Sequence, residues 1–208
     1  MEKPITPETV AKTIELGQLV LKFSRTDRVT CHEDGTTPES DTDHTVMLGI
    51  IACAFANEFA PELDRGRIAQ FALIHDLVEV YAGDTSTFKV MSDEDAKGKE
   101  EREAEALVRI REEFDAIYPW LGETIESYEK LDTKEARFVK IVDKVLPKIT
   151  HILNNGAVSN RLGHTPESKR AFLDHQYEKI GSTYGADQQQ AMALLKCLHE
   201  AMKEADQI

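Results

Sequence analysis

Apolar positions recur along this chain at three- and four-residue intervals, the spacing that gathers them on one face of an α-helix. In the first such stretch, residues 7–23, Val10, Ile14 and Leu21 fall together. Gly17 shares their face, where its missing side chain would let a neighbour pack close. The next segment, SRTDRVTCHEDGTTPESDTD at 24–43, is polar, carries Gly and Pro, and reads as a long loop of the kind that often has a function. Asp41 and Asp43 offer N-caps for a helix over 44–59, and Asp64 offers one for a helix over 65–82 that Gly83 closes. A charged helix over 95–117 keeps a narrow stripe of Leu107, Ile110 and Phe114, and its charge run reads as a solvated face. A short helix over 121–130 follows, then one over 133–154 with a kink at Pro147, ended by Asn154-Asn155-Gly156. Two more helices cover 166–183 and 186–204. With no repeat and no strand-like alternation, the pattern predicts one all-α domain over 1–208.

Composition narrows the partners. At 208 residues and 41% hydrophobic, the chain is long and apolar enough to bury a core. No apolar run approaches the roughly 20 residues of a membrane span. The start, MEKPITPETV, has no basic region followed by an apolar one, so a cytoplasmic location is expected. Three cysteines, Cys31, Cys53 and Cys197, contain no C-x-x-C pair and fit a reducing compartment, with Cys53 placed in the core. A net charge of −13 argues against nucleic-acid polymers and anionic membranes as partners. A small anionic substrate stays compatible with it, because a metal ion and one or two arginines can reverse the local potential.

The stretch ALIHDLVEVYAGD at 72–84 carries the candidate chemistry. Nearly every position from Phe71 to Ala82 is apolar, which marks a buried helix, yet it holds His75, Asp76 and Glu79 within one arc of roughly 100°. Two buried carboxylates beside an imidazole call for a compensating cation or proton. A divalent metal supplies it: His75 and Asp76 offer one nitrogen and one oxygen ligand, and Glu79, one turn on, is placed for acid/base work. Taken alone, a His-Asp pair is equally well read as a hydrogen-bonded core pair. Two more residues point inward, however. His44 stands on the side of Met47, Leu48, Ile51 and Phe55, and Asp143 in RFVKIVDKVLPKI is flanked by Val139 and Leu146.

The pattern H…HD…D resembles the HD-domain superfamily of metal-dependent phosphohydrolases. More closely, HDLVEVYAGD at 75–84 and ESDTDH at 39–44 resemble the branch of bacterial 5′-deoxynucleotidases and their eukaryotic relatives, which carry HD-x-x-E-x-x-x-G-D and E-S-x-x-[DE]-H. The resemblance covers about residues 10–160, the core of the metal site, and leaves the helices over about 165–206 outside it. It implies a helical bundle around one divalent ion, manganese, cobalt or a similar transition metal, held by His44, His75, Asp76 and Asp143. It implies that Glu79 takes part in proton transfer and that Asp84 and the following loop, with Thr87, contact substrate. It implies that Arg28 or Arg25 orients the phosphate. The implied reaction is removal of phosphate from ribo- or deoxynucleoside 5′-monophosphates by metal-activated water, in an enzyme whose relatives are often homodimers. Two other readings stay open: hydrolysis of a nucleoside di- or triphosphate or an alarmone, and a non-catalytic metal- or nucleotide-binding module. The chain departs from the bacterial pattern in two respects. A tryptophan beside the arginine helps those enzymes reject ribose, whereas here Val29 follows Arg28 and the one tryptophan is Trp120. The 30–38 segment, with His32, Glu33 and Asp34, also looks longer than theirs. His151, His164, His175 and His199 have no partners at ligand spacing and read as structural or surface residues, while Lys144, after Asp143, reads either as a phosphate contact or as the partner of a surface carboxylate, and Lys89 likewise.

Overall fold

The computed structural model describes residues 3–84 and 92–205. Within them the chain is helical, apart from one short two-stranded ribbon. Helix α1 (Pro7–Phe23) starts on a reciprocal Thr6–Thr9 capping box with Pro7 in its first turn. The strands β1 (Asp27–Cys31) and β2 (Pro38–Ser40) pair antiparallel and lead into α2 (Asp41–Phe59). Then come α3 (Arg65–Ile74), the single turn α4 (Glu79–Ala82), α5 (Asp93–Phe114), α6 (Trp120–Glu129) and α7 (Lys134–Leu153). The chain closes with α8 (Ala157–Arg161), α9 (Pro166–Thr183) and α10 (Gln189–Ala205).

Helix α7 is the axis of the bundle. Phe138, Val139, Ile141, Val142, Val145 and Leu146 are fully buried and pack with Leu48, Ala52 and Ala56 of α2 and with Ile68, Phe71 and Ala72 of α3. Burying each such side chain is worth about 1.5–3 kcal/mol. This is also why inward positions on α2, α3 and α7 can carry polar groups without losing the fold. Among the described residues, no helix is long and apolar enough to cross a membrane.

Five expectations change. The polar 24–43 segment is not all loop: β1 and β2 occupy eight of its positions, and strands of five and three residues are too short to show alternation. The ribbon's turn is held by the Asp34 carboxylate, which accepts from the Thr36 and Thr37 amides at 2.8 Å. At Gly35, with φ of +71°, a Cβ would come within 2.7 Å of Ala157, so the turn seats on α8 only as glycine.

The face of α1 is reversed. Leu16, Leu19 and Phe23 pack inward, while Val10, Ile14 and Leu21 stand 51%, 59% and 61% exposed. The helix has two apolar stripes about 180° apart, and periodicity alone does not say which turns inward. A Cβ on Gly17 would meet nothing within 4 Å, so no neighbour uses that gap.

The helix expected over 65–82 breaks. α3 stops at Ile74, the bonds Leu77 N to Ile74 O and Glu79 N to Asp76 O tighten to three-residue spacing, and α4 restarts at Glu79. His75 Nδ1 hydrogen-bonds the Ala72 carbonyl at 2.9 Å, the acceptor a continuing helix would offer to the Asp76 amide. Finally, the chain turns through Asn155 and Gly156, both at positive φ, and makes α8, which periodicity did not foreshadow in five residues. Cys53 is partly buried against the core rather than inside it.

Candidate metal centre

Two helices and one helix end converge. The capping box of Ser40 with Asp43 starts α2 so that His44 points inward, fully buried. The break after α3 presents His75 and Asp76, and the middle of α7 presents Asp143. One ligand atom from each of these four residues lies within 4.8 Å of all the others. His44 Nε2 is 2.9 Å from Asp143 Oδ1, and His75 Nε2 is 2.9 Å from Asp76 Oδ2 and 3.9 Å from Asp143 Oδ1. Ligand atoms about 2.1 Å from one ion and at right angles around it stand about 3 Å apart, so the set fits a divalent metal. The protonation pattern fits as well. With Nδ1 committed to a carbonyl, His75 turns Nε2 inward, where it is buried and lacks a well-formed hydrogen bond. The side chains of His44, His75 and Asp143 are 1%, 1% and 7% exposed against 20% for Asp76, so the cluster opens on the Asp76 side.

Around this cluster the charges are arranged in a ring. Arg28, from β1, donates from Nη1 to Asp41 at 2.9 Å and to Asp76 at 2.7 Å, and lies 3.7 Å from Glu79. Lys144 donates to Asp143 Oδ2 at 2.8 Å. Burial opposes the charge of both cations, yet Asp76 and Asp143 outweigh it and raise both pKa values. In return, despite burial, His75 and Arg28 hold the Asp76 carboxyl well below its ordinary range, and Lys144 and His44 do the same for Asp143. His44, although buried, is pushed up to about 9 by Asp143 and Glu39. Glu79 is pushed the other way for a carboxyl, up to about 10, by burial and by the charges of Asp76, Asp84 and Asp41, with Arg28 opposing. A carboxyl so placed keeps its proton at neutral pH until a further cation arrives.

The structure therefore brings His44, His75, Asp76, Asp143, Glu79 and Arg28 together. Asp84 faces the same ring: burial raises its carboxyl, and Arg28 and Lys99 pull it back. Arg25 stands exposed just beyond α1, away from the cluster. Thr87 and Lys89 lie outside the described residues. His32 is partly exposed and sits 3.5 Å from Asp43, Glu33 is exposed, and Asp34 serves the ribbon turn.

Several site residues had no role in the sequence reading. Glu39 is 2% exposed, accepts from Thr30 Oγ1 at 2.5 Å and faces His44 Nδ1 at 3.4 Å, so it orients the imidazole from behind. Asp41, fully buried, holds Arg28, and burial raises its carboxyl to about 6 against that arginine. Glu39 and Asp41 belong to ESDTDH, so the motif contained them, but only the ribbon shows what each touches. Tyr128 is buried with its ring nearly perpendicular to that of His75, the centroids 6.2 Å apart.

Two cavities meet at Asp143 and Lys144. One, of about 270 Å³, runs past His75 and Asp76 between α5 and α6 and is lined by Glu100, Glu103 and Glu129 as well as Lys99 and Lys140. The other, of about 440 Å³, runs past Arg28 along the second half of α7 to α8, α9 and α10. Trp120 is 42% exposed and lines neither.

Comparison with known proteins follows this geometry. The 5′-deoxynucleotidase hdd1 of Schizosaccharomyces pombe is 32% identical over 112 residues, which are 51% of this chain and 54% of that protein. Human 5′-deoxynucleotidase HDDC2 is 31% identical over 138 residues, 66% of this chain and 62% of that protein. The matched segments thus span only about half to three-fifths of these relatives. Among solved structures, a predicted metal-dependent phosphohydrolase from Magnetospirillum magnetotacticum superposes with a TM-score of 0.75 at 24% identity, covering 94% of this chain and 96% of its own. A conserved hypothetical protein from Pyrococcus furiosus gives 0.57 at 23% identity, covering 92% and 99%. At such identities these two speak to the fold alone. A model of the HD domain matches residues 21–191, most of the chain and every residue of the cluster, and the chain belongs to the HD-domain family.

Proposed function

We propose that this chain is a phosphomonoesterase that uses one divalent transition metal, such as manganese or cobalt, to release phosphate from nucleoside 5′-monophosphates. The observation that carries the reading is the four-residue cluster His44, His75, Asp76 and Asp143, open on the Asp76 side, with Arg28 and Glu79 packed beside Asp76. The 5′-deoxynucleotidase activity named for the relatives supports it.

The four residues would hold the ion. When bound, it supplies Lewis acidity, making water nucleophilic at neutral pH and polarising a phosphoryl oxygen. The chain's own groups do the rest. Arg28 makes its hydrogen bonds from Nη1, which leaves Nη2 and Nε to meet phosphoryl oxygens and neutralise charge as it develops. Asp41 and Asp76 keep that guanidinium from swinging away. Glu79 holds a proton in a dry site. The cation its surroundings call for would bring its pKa back toward neutrality, where a carboxyl can take a proton from water and return one to the leaving O5′. Asp84, beside Arg28, is placed for the sugar or the phosphate.

With Val29 after Arg28, and Trp120 outside both cavities, we expect weak discrimination between ribose and deoxyribose. We also place the protein in the cytoplasm, on its three unpaired cysteines, and infer a homodimer, on the apolar side chains left exposed along α1. Light scattering in solution tests the dimer.

The test of function is phosphate release from ribo- and deoxynucleoside 5′-monophosphates with Mn²⁺, Co²⁺, Mg²⁺ or EDTA, alongside Asp76→Ala. Metal-dependent release, lost in the variant, is the expected result. Release that survives EDTA, or none from any monophosphate, defeats the reading.

A further inference from the structure

The larger cavity is out of keeping with the rest of the molecule. The chain carries a net charge of −13, yet Arg28, Lys144, Lys148 and Lys169 line this space with His151 and His164, and among the described residues Asp143 is the one carboxylate that lines it. The smaller cavity, which touches the same cluster, is lined by five carboxylates and three lysines. The two approaches to one metal site thus have opposite electrostatic character.

Lys148 is the telling residue. It is 4% exposed, its hydrogen bond goes to the amide oxygen of Gln176, and no carboxylate is within ion-pair range among the described residues. Burial and the nearby charge of Lys144 pull its pKa down to about 7. A buried ammonium without a counter-ion is costly, and a bound anion would remove the cost. His164 adds a second unmet demand, because its Nε2 is buried and unpartnered while the residue lines the same space. Between these polar groups lie Pro147, Phe172, Leu173 and Met202, a wall suited to a flat apolar body.

We propose that this cavity is a second anion subsite for the leaving side of the substrate, so that the preferred nucleotide carries a second phosphate on its ribose. This rests on the phosphomonoesterase reading. Lys148 follows Asp143 by five residues, about 7.5 Å along the axis of α7. That rise exceeds the separation of two phosphorus atoms in one diphosphate bridge, which favours a second phosphate set further from O5′, at the 2′ or 3′ position. The class is therefore a nucleoside bisphosphate rather than a diphosphate. Water adds to the 5′-phosphorus, the P–O5′ bond breaks, and O5′ takes up a proton. The products are inorganic phosphate and a nucleoside 2′- or 3′-phosphate, whose remaining charge stays on Lys148.

The experiment compares kcat/KM of the manganese-loaded protein for adenosine 5′-monophosphate, adenosine 5′-diphosphate and adenosine 3′,5′-bisphosphate. It is repeated with Lys148→Met and with Gln176→Glu, which sets a carboxylate against the ammonium. Equilibrium binding of adenosine 3′-phosphate against adenosine gives a readout apart from turnover. The expected result is a preference of roughly 10- to 100-fold for the bisphosphate, a charge-assisted contact's worth. The preference should collapse toward unity in both variants, and the tighter binding of adenosine 3′-phosphate should disappear with it. Equal kcat/KM for mono- and bisphosphate, or a preference that survives both variants, overturns the subsite while leaving monophosphate hydrolysis standing. Absence of release from every nucleotide defeats the parent reading instead.

Discussion

The two halves of α7 make opposite uses of the same burial. Around Asp143 the helix delivers a carboxylate into a cluster that already holds two imidazoles and a second carboxylate, and Arg28 and Lys144 supply charge from outside. Further along, Lys148 enters a cavity with Gln176 as its hydrogen-bond partner and no carboxylate within ion-pair range among the described residues. The first half is polar in a way that the chain itself nearly balances, leaving room for one dication. The second is polar in a way that the described residues leave unbalanced at Lys148. A buried group whose charge is compensated at home marks machinery that is set before substrate arrives. A buried group that is not compensated marks a place where something from outside completes the balance.

Substitutions in the two halves should therefore fail differently. The largest expected effect is at Asp76. Asp76→Ala removes a ligand and the partner of Arg28, and phosphate release should fall by about three orders of magnitude or more. Elemental analysis should find the metal gone as well, while Lys148→Met keeps it. Loss of metal in both variants would show that the two halves are one site and erase the distinction. Next comes Glu79→Gln, which keeps the volume and removes the proton. Turnover should drop about 10²- to 10⁴-fold with metal content unchanged, so that chemistry separates from binding. Full turnover in that variant would take the acid/base role away from Glu79. Third is Glu39→Gln. Through Nδ1 of His44 it should weaken metal binding by about 10- to 100-fold, measured by competition with a chelating dye. An unchanged affinity would reduce Glu39 to a partner of Thr30.

The difference between the halves also explains what the sequence could show. Metal chemistry demands particular residue types, and HDLVEVYAGD and ESDTDH announce them because few other pressures put His, Asp and Glu among apolar neighbours. Arg28 could be distinguished from Arg25 only once β1 was seen to carry Arg28 over the cluster, since two arginines in a polar stretch look alike. Glu39 and Asp41 sat inside a legible motif, but their targets, His44 Nδ1 and Arg28, are tertiary facts. The break after Ile74 was hidden because His75 takes over a backbone acceptor with its side chain, and periodicity does not register such a trade. The basic cavity left no trace at all. Lys144 and Lys148 stand four apart on α7, and His164 and Lys169 join them only because α8 and α9 fold back over α7. Helix faces were legible where one stripe dominates, as on α7, and misread where two compete, as on α1.

The smallest effect per step is in stability against pH, and there the two halves pull in opposite directions. In the metal-free protein His44 is raised from 6.5 to about 9 and Glu79 from 4.5 to about 10, so the folded state keeps two protons that the unfolded state releases across the window from about 7 to 9. Each of these contributions is fully present at lower pH and lost as pH rises. Lys148 is lowered from 10.5 to about 7, so over the same window the unfolded state holds a proton that the folded state has let go, and its contribution grows with pH. Two protons against one leave a net fall in stability as pH rises between 7 and 9. Lys148→Met removes the opposing part, and chemical denaturation should show the slope roughly doubling. Saturating metal displaces the proton of His44 and lowers the pKa of Glu79, and should flatten or reverse the slope in both proteins. A slope unaffected by the Lys148 substitution would mean that the ammonium keeps its proton in the folded state. In that case the cavity is already balanced from within, and the contrast between the two halves of α7 disappears.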